Sequence, residues 1–201
     1  MMNLLIDIGN SSAKVAISEN KKIIEDFRFV ELDNDKILDI INEYKIQNSA
    51  LSNVSTNNEK LKKILTENTS FYSFSNEIRI PFNCSYKLTD VGDDRLALMA
   101  AAHYDFPTEN VLVIDMGTCI TYDIKTSSNN YKAGGISPGL RMRIKSISDG
   151  AFKLNEITPT YPESLIASDT KSSLDIGIVM GIKSEIEGFI SQYNSQFTGL
   201  K

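Results

Sequence analysis

The spacing of apolar and polar positions predicts a mixed α/β arrangement in the first half of the chain. Apolar runs and period-two alternation indicate strands, and apolar residues spaced three and four apart indicate helices. The helix over residues 36–45, for example, carries Ile37, Ile40 and Ile41 on one face. The predicted order is β-β-β-α-β-α-β, over residues 2–8, 13–17, 26–31, 36–45, 50–54, 57–65 and 71–74.

The second half repeats the β-β-β-α order, which favours a duplicated unit. A Leu-, Met- and Ala-rich helix is expected first, and a long helix last, with Ile176, Val179, Ile186 and Ile190 on one stripe. The predicted elements are a helix at 93–103, strands at 110–115, 119–124 and 131–136, and helices at 140–151 and 172–193. We expect two domains, residues 1–92 and 93–201.

An Asp-x-Gly motif follows the first strand of each half, at Asp7 to Gly9 and at Asp115 to Gly117. A buried strand that carries a carboxylate into a tight turn can hold a phosphate and its metal. One such turn in each half suggests two domains that face each other across one nucleotide.

The first turn contains the residues that a phosphate loop needs. Gly9 permits a positive φ, Lys14 lies on the returning strand, and Asp7 could hold a hydrated Mg²⁺. Backbone N–H groups that could form an anion nest belong to Asn10, Ser11 and Ser12. The alternative is a plain strand-turn-strand with an Asp-capped turn.

The second turn has no lysine. Thr118 offers a hydroxyl and an N–H group to a terminal phosphate, and Asp115 could ligate a cation. Gly134 to Gly139 could bring backbone close to a ligand or form a structural corner, and Ser168 to Thr170 is most simply a helix cap.

Gly92, Asp93, Asp94 and Arg95 place three charges at a helix start. Capping explains the two acids, which favour the positive end of the helix dipole. It does not explain Arg95, which a bidentate carboxylate ligand would explain. Asp94 could then accept a hydroxyl proton as a general base.

The composition of the chain argues against several classes of function and of metal or catalytic site. Apolar residues make up 41% and charged residues 23% of the chain, which is typical of a globular protein, and the net charge of −5 argues against non-specific nucleic-acid binding. His103 is the sole histidine, so a His-based metal site or a Ser-His-Asp triad is not expected. The two cysteines, Cys84 and Cys119, suggest reduced thiols. No leader and no membrane span is predicted, so we expect a cytoplasmic protein.

These motifs, in this order, resemble the type III pantothenate kinases of the acetate/sugar kinase, actin-like ATPase superfamily. The segments that carry the resemblance are residues 7–14, 92–95, 115–123, 134–140 and 168–177. The resemblance implies an α/β fold of two ribonuclease H-like (actin-like ATPase) domains. Each would be a mixed β-sheet with flanking helices, built from a duplicated β-β-β-α-β-α unit.

The resemblance also implies transfer of the ATP γ-phosphate to the 4′-hydroxyl of pantothenate, the first step of coenzyme A biosynthesis. Asp94 would be the base, Asp115 would bind a monovalent cation (K⁺ or NH₄⁺), and Mg²⁺ would accompany ATP. The implied ATP-binding residues are Asp7, Ile8, Gly9, Asn10, Ser11, Ser12, Ala13, Lys14 and Thr118. The implied pantothenate-binding residues are Tyr86, Gly92, Asp93, Asp94, Arg95 and, from the neighbouring subunit of a homodimer, Thr170.

Members of that family continue past the long helix into a further strand, turn and helix, whereas this sequence stops at Lys201. We therefore expect the second domain to be incomplete at its C-terminus, on the adenine side of the site. Two alternatives stay open: a non-catalytic binding or regulatory relative, and a kinase of another small acceptor.

Overall fold

The structure is a computed structural model of the 201-residue chain. It describes residues 1–10, 12–53, 58–73, 80–87, 90–150 and 158–201. The chain divides into two compact units: unit 1 is Met1–Pro81 with Tyr86–Ala100, and unit 2 is Phe82–Ser85 with Ala101–Lys201. The domain boundary at residue 92 stays a prediction. Predicted positions that lie outside the described residues are Ser11, Val54, Asn57, Phe74 and Ala151.

Unit 1 has the predicted β-β-β-α-β-α-β order. Its elements are β1 (Met2–Ile8), β2 (Ala13–Glu19), β3 (Lys22–Phe29), α1 (Asn34–Glu43), β4 (Asn48–Asn53), α2 (Glu59–Asn68) and β5 (Ser70–Ser73). The sheet order is β3-β2-β1-β4-β5. The β1–β2 and β2–β3 pairs are antiparallel, whereas β4 pairs parallel with both β1 and β5.

The side chains of β1 alternate between two faces of this sheet, one that α1 and α2 cover and one that they do not. Leu4 and Ile6 are buried in the core that α1 and α2 cover, with Ile37 and Leu61 among their neighbours. Since successive side chains of a strand point to opposite faces, Asp7 lies on the other face of the sheet.

A two-residue turn sets the β2–β3 hairpin. Asn20 and Lys21 have positive φ angles of 50° and 65°, as a type I′ turn requires. The third strand therefore begins at Lys22, four residues before the predicted start.

Unit 2 repeats the three-stranded meander. Its strands are β6 (Asn83–Cys84), β7 (Val111–Met116), β8 (Cys119–Lys125) and β9 (Asn130–Pro138), in the sheet order β6-β9-β8-β7. Helix α3 (Asp93–Asp105) begins in unit 1 and ends in unit 2. The later helices, all in unit 2, are α4 (Leu140–Gly150), α5 (Thr170–Asp175) and α6 (Gly181–Gln196). At the outer edge of β7, the Leu112 N–H donates to the Lys201 carbonyl and the Lys201 N–H to the Asn110 carbonyl.

The predicted single helix over residues 172–193 is interrupted by a π-helical segment, Ile176–Met180. The predicted apolar stripe is partly wrong for that reason. A π-helix pairs residue i with i+5, which changes the phase of the helix beyond it. Ile178 and Ile182 are buried against β8 instead of Ile176 and Val179, and Ile190 is 38% exposed.

Unit 2 also contains a lysine inside its core. Lys125 is fully buried, and its ammonium donates to the carbonyls of Phe106 (2.5 Å), Pro107 (2.8 Å) and Glu109 (3.2 Å). A buried ammonium needs such partners to offset its lost hydration. The contacts hold the segment after α3 against β8.

Cys84 and Cys119 are both free thiols. Across the described ranges, no helix combines the length and the apolar character that a membrane crossing requires.

Candidate functional site

Asp7 and Lys14 of the first turn face each other directly, although seven residues separate them. They are partners in the β1–β2 register, and the Lys14 ammonium lies 3.3 Å from Oδ2 of Asp7. Asp7 is 39% and Lys14 56% exposed, so both remain accessible to a ligand. An exposed pair of this kind contributes little to stability, which leaves Lys14 available to a phosphate.

The other carboxylate oxygen of Asp7 has a buried partner. Ser52 of β4 is the register neighbour of Asp7, and its hydroxyl donates to Oδ1 of Asp7 at 3.2 Å. Ser52 is only 8% exposed. The Asp7 side chain is thus oriented from one side by a fixed hydroxyl and from the other by a long cation.

Gly9 does not use the freedom that its sequence position suggests. Gly199 is the only described glycine with a positive φ, and a Cβ on Gly9 would meet the Ser12 carbonyl at an ordinary 3.5 Å. The Gly9 N–H donates to that same carbonyl at 3.1 Å and closes the turn. The positive φ that glycine permits is therefore not used at Gly9, and its N–H serves the turn. Of the predicted loop residues, Ser11 lies outside the described part of the chain, and Ile8 and Ala13 are buried.

The start of α3 is joined to the same strand, β4. The backbone N–H of Asn53, the residue after Ser52, donates to Oδ2 of Asp93 at 3.4 Å. Burial raises the pKa of Asp93, and the neighbouring charge of Asp94 adds to the rise, while the Asn53 bond opposes it. The end of β4 therefore links Asp7 to the Gly92–Arg95 segment inside unit 1.

The two neighbours of Asp93 in α3 differ in accessibility. Asp94 is half-buried and accepts the Arg95 N–H at 2.7 Å through Oδ1. Arg95 is 8% exposed. A local bond to the next residue therefore accounts for one oxygen of Asp94, while Oδ2 of Asp93 bonds to the end of strand β4.

A cavity of about 560 Å³ opens in unit 1 on the sheet face that carries Asp7. Asp7, Lys14 and Ser52 line it together with apolar side chains such as Leu5 and Ala97. The first turn therefore borders a space large enough for a small molecule.

The second turn resembles the first, but the chain between its two paired residues is one residue shorter. Asp115 of β7 opposes Thr121 of β8, as Asp7 opposes Lys14. The Gly117 N–H donates to the Cys119 carbonyl at 2.9 Å and closes the turn. Thr118 is half-buried at its tip.

Gly139 packs directly against this second turn. A Cβ on Gly139 would lie 2.4 Å from the Thr118 carbonyl oxygen and 2.5 Å from that of Gly117, closer than real Cβ atoms approach backbone. The Gly139 N–H donates to the Thr118 carbonyl at 3.0 Å. The glycine-rich segment is therefore brought against the second turn, as a close backbone approach requires.

Two predicted substrate contacts lie at exposed positions. Tyr86 of unit 1 is 51% exposed, and Thr170 of unit 2 is an exposed first residue of α5. Asp169 caps α5 through a capping box with Ser172, as expected for that segment.

The repeated strand-turn-strand units, each with an Asp at the end of its first strand, define a class of protein. Unit 1 has the 3-2-1-4-5 strand order, and β9-β8-β7 of unit 2 repeats β3-β2-β1. This is the α/β fold of the actin-like ATPase superfamily, as predicted.

The chain belongs to the type III pantothenate kinase family, whose model matches residues 3–192. The type III pantothenate kinase of Christiangramia forsetii is 38% identical over 99% of this chain and 83% of its own length. That of Flavobacterium johnsoniae is 35% identical over 98% of this chain and 82% of its own length.

One similar solved structure comes from Campylobacter jejuni and is described as a conserved member of the Baf family of transcriptional activators. It is 29% identical, with a TM-score of 0.56, over 92% of this chain and 78% of that one.

Proposed function

We propose that this chain is an ATP-dependent pantothenate kinase that transfers the γ-phosphate to the 4′-hydroxyl of pantothenate. Family membership over nearly the whole chain supports this function. The main structural support for the site is a pair of hydrogen bonds at the end of β4. The Ser52 hydroxyl donates to Asp7, and the Asn53 N–H donates to Asp93. A phosphate loop and an acidic substrate segment are thereby joined within one unit.

In this proposal, positioning and charge neutralisation supply most of the catalysis. Lys14 and the first turn hold phosphate oxygens, and Thr118 contacts the terminal phosphate. Asp94 accepts the proton of the pantothenate hydroxyl while the oxygen of that hydroxyl bonds to the γ-phosphorus, and ADP leaves. Arg95 and Tyr86 recognise the acceptor, with Arg95 on its carboxylate.

Asp7 is the residue that would hold Mg²⁺. The described residues contain no cluster of three or more His, Cys, Asp or Glu side chains that could bind a metal. One carboxylate nevertheless fits this ion, because Mg²⁺ at phosphate sites usually binds one or two carboxylates, water and the phosphates themselves. When bound, it would neutralise phosphate charge. Asp115 is our candidate for a monovalent cation, since its carboxylate lies over the second turn, 3.4 Å from the Cβ position of Gly117.

A homodimer with a shared active site and a cytoplasmic location belong to the same proposal. The exposed position of Thr170 leaves its side chain accessible to a second subunit. The free thiols of Cys84 and Cys119 suit a reducing compartment.

The test is an ATP-dependent assay of the purified chain with pantothenate, acetate and simple sugars as parallel acceptors. We expect phosphopantothenate and ADP in equal amounts, and no product from the other acceptors. Turnover of a sugar or acetate alone would identify a kinase of another acceptor. ATP binding without turnover of any acceptor would identify a non-catalytic relative.

A further inference from the structure

A carboxylate in the last helix of unit 2 joins three other elements. Glu185 of α6 accepts hydrogen bonds from the Tyr122 hydroxyl of β8 at 2.8 Å and the Ser137 hydroxyl of β9 at 2.5 Å. It also forms an ion pair with Nη2 of Arg143 in α4 at 2.5 Å. Glu185 and Arg143 are 23% and 22% exposed, so water screens this pair only partly.

The contacts continue from Arg143 to the second turn. Nε of Arg143 donates to the Pro138 carbonyl at 2.8 Å, which fixes the residue before Gly139. Gly139 in turn donates to the Thr118 carbonyl at 3.0 Å and packs against it without room for a Cβ. An unbroken series of contacts therefore runs from Glu185 through Arg143 and Gly139 to Thr118.

We propose that Glu185 is a positioning residue for the terminal phosphate of ATP, acting through Arg143 and the Pro138–Gly139 turn on Thr118. This inference rests on the proposed role of Thr118 in phosphate binding. Within unit 2, the hydrogen bonds and ion pair of Glu185 go to Tyr122, Ser137 and Arg143, so its effect on Thr118 passes through the β9–α4 connection.

The charge state of Glu185 suits this role. Burial alone would raise the pKa of Glu185, but the bonds from Ser137, Arg143 and Tyr122 outweigh burial and lower it. Burial and the same Glu185 contact raise the pKa of Tyr122 to about 12. At neutral pH the carboxylate is charged and the phenol is a donor, so the link to Arg143 is an ion pair.

Glu185→Gln tests the link with little change in shape. The amide oxygen can still accept from Tyr122 and Ser137, but an amide N–H₂ then faces Arg143. Glu187→Gln is the matched control, since Glu187 lies on the same helix, is 64% exposed and pairs with Lys183 at 3.7 Å.

The readout is the binding of two nucleotides by calorimetry: a non-hydrolysable ATP analogue with an imido bridge between its β- and γ-phosphates, and ADP. We expect Glu185→Gln to weaken binding of the analogue about tenfold, equivalent to about 1.4 kcal/mol, and to leave ADP binding within about twofold. Glu187→Gln should bind both like the wild type. This readout involves no pantothenate, so the outcome does not depend on which acceptor the enzyme uses.

Equal losses for ADP and for the analogue would mean that the network only supports the fold, and unchanged binding of both would mean that it does not reach Thr118. Either result overturns the proposal. If Glu185→Gln does not fold, as judged by circular dichroism, Arg143→Lys provides the same test, because it keeps the charge but loses the forked contact with Pro138 and Glu185. The same selective loss is expected there.

Discussion

Gly139→Ala should disturb the second turn more than the small size of the added methyl group suggests. The added methyl would lie 2.4 Å from the Thr118 carbonyl oxygen and 2.5 Å from that of Gly117, whereas ordinary contact begins at 3.4 Å. Both obstacles are backbone atoms, which cannot rotate away. The turn must therefore retreat by about 1 Å, or the β9–α4 connection must move by that distance.

Two magnitudes follow from this displacement. Overpacking of this kind costs roughly 1–3 kcal/mol, and for a chain of this size each kcal/mol lowers Tm by about 2–4 °C. A shift of about 1 Å in a group that positions substrate can cost about 100-fold in rate. We therefore expect a folded variant with a lower Tm and a kcat/KM for ATP reduced by about 100-fold.

Steady-state kinetics with ATP as the varied substrate, together with thermal unfolding, measure both effects. Gly135→Ala is the control, because its added Cβ would meet only Phe189 and Tyr122 side-chain atoms at 3.5 Å or more. We expect that variant to resemble the wild type. A Gly139→Ala enzyme with unchanged kcat/KM for ATP would refute the reasoning that Gly139 holds Thr118 in place.

Three further substitutions test unit 1. Asp94→Asn should reduce turnover by about 10²–10⁴-fold, as expected for loss of a general base, with little change in Tm, because the amide oxygen still accepts the Arg95 N–H; equal turnover would exclude Asp94 as the base. Ser52→Ala should lower the free energy of unfolding by about 0.5–1.5 kcal/mol and raise KM for ATP several-fold, since Asp7 loses its fixed donor; an unaltered KM in the same kinetic assay would show that this bond does not orient Asp7. Asp93→Asn should raise Tm at pH 7: with a raised pKa, the folded state holds the Asp93 proton more tightly than the unfolded chain, so wild-type stability falls as pH rises through that pKa. Urea unfolding from pH 3 to pH 7 should show the advantage of this variant appearing only above the ordinary carboxyl pKa, and an advantage that is constant with pH would contradict burial as its cause.

The elements of unit 1 could be predicted because each has a regular pattern that matches its environment. Ile37, Ile40 and Ile41 of α1 fall on one helical face, and that face is buried. The edge strand β3 was harder, since Ile23 and Ile24 are 64% and 50% exposed and do not alternate with buried positions.

The long helix of unit 2 shows a second limit. Leu174, Ile178, Ile182 and Ile186 lie four residues apart and pack in one cluster. Four residues exceed the 3.6 of an α-helical turn, so such a stripe would drift by about 40° at each step on a regular helix. The wider π-helical turn corrects part of this drift, and a pattern search with a fixed period of 3.6 selects other residues.

The candidate motifs of the site were visible in the sequence, but the residues that we propose orient them were not. Asp7 and Asp115 follow apolar strands and precede glycines, which is a local signal. Ser52 and Glu185 carry no such signal. Ser52 meets Asp7 only through the parallel β1–β4 register, and Glu185 meets Ser137 across 48 residues of sequence.

The buried ammonium of Lys125 makes this residue a built-in reporter of the integrity of unit 2. Reagents that acylate lysines need a deprotonated, solvent-exposed amine, and this one is enclosed by the carbonyls of Phe106, Pro107 and Glu109. Exposed lysines such as Lys14 would be labelled in the native protein, whereas Lys125 would be labelled only after the segment around residues 106–109 has opened. Mass spectrometry of its peptide after brief labelling therefore measures how often this part of the fold opens.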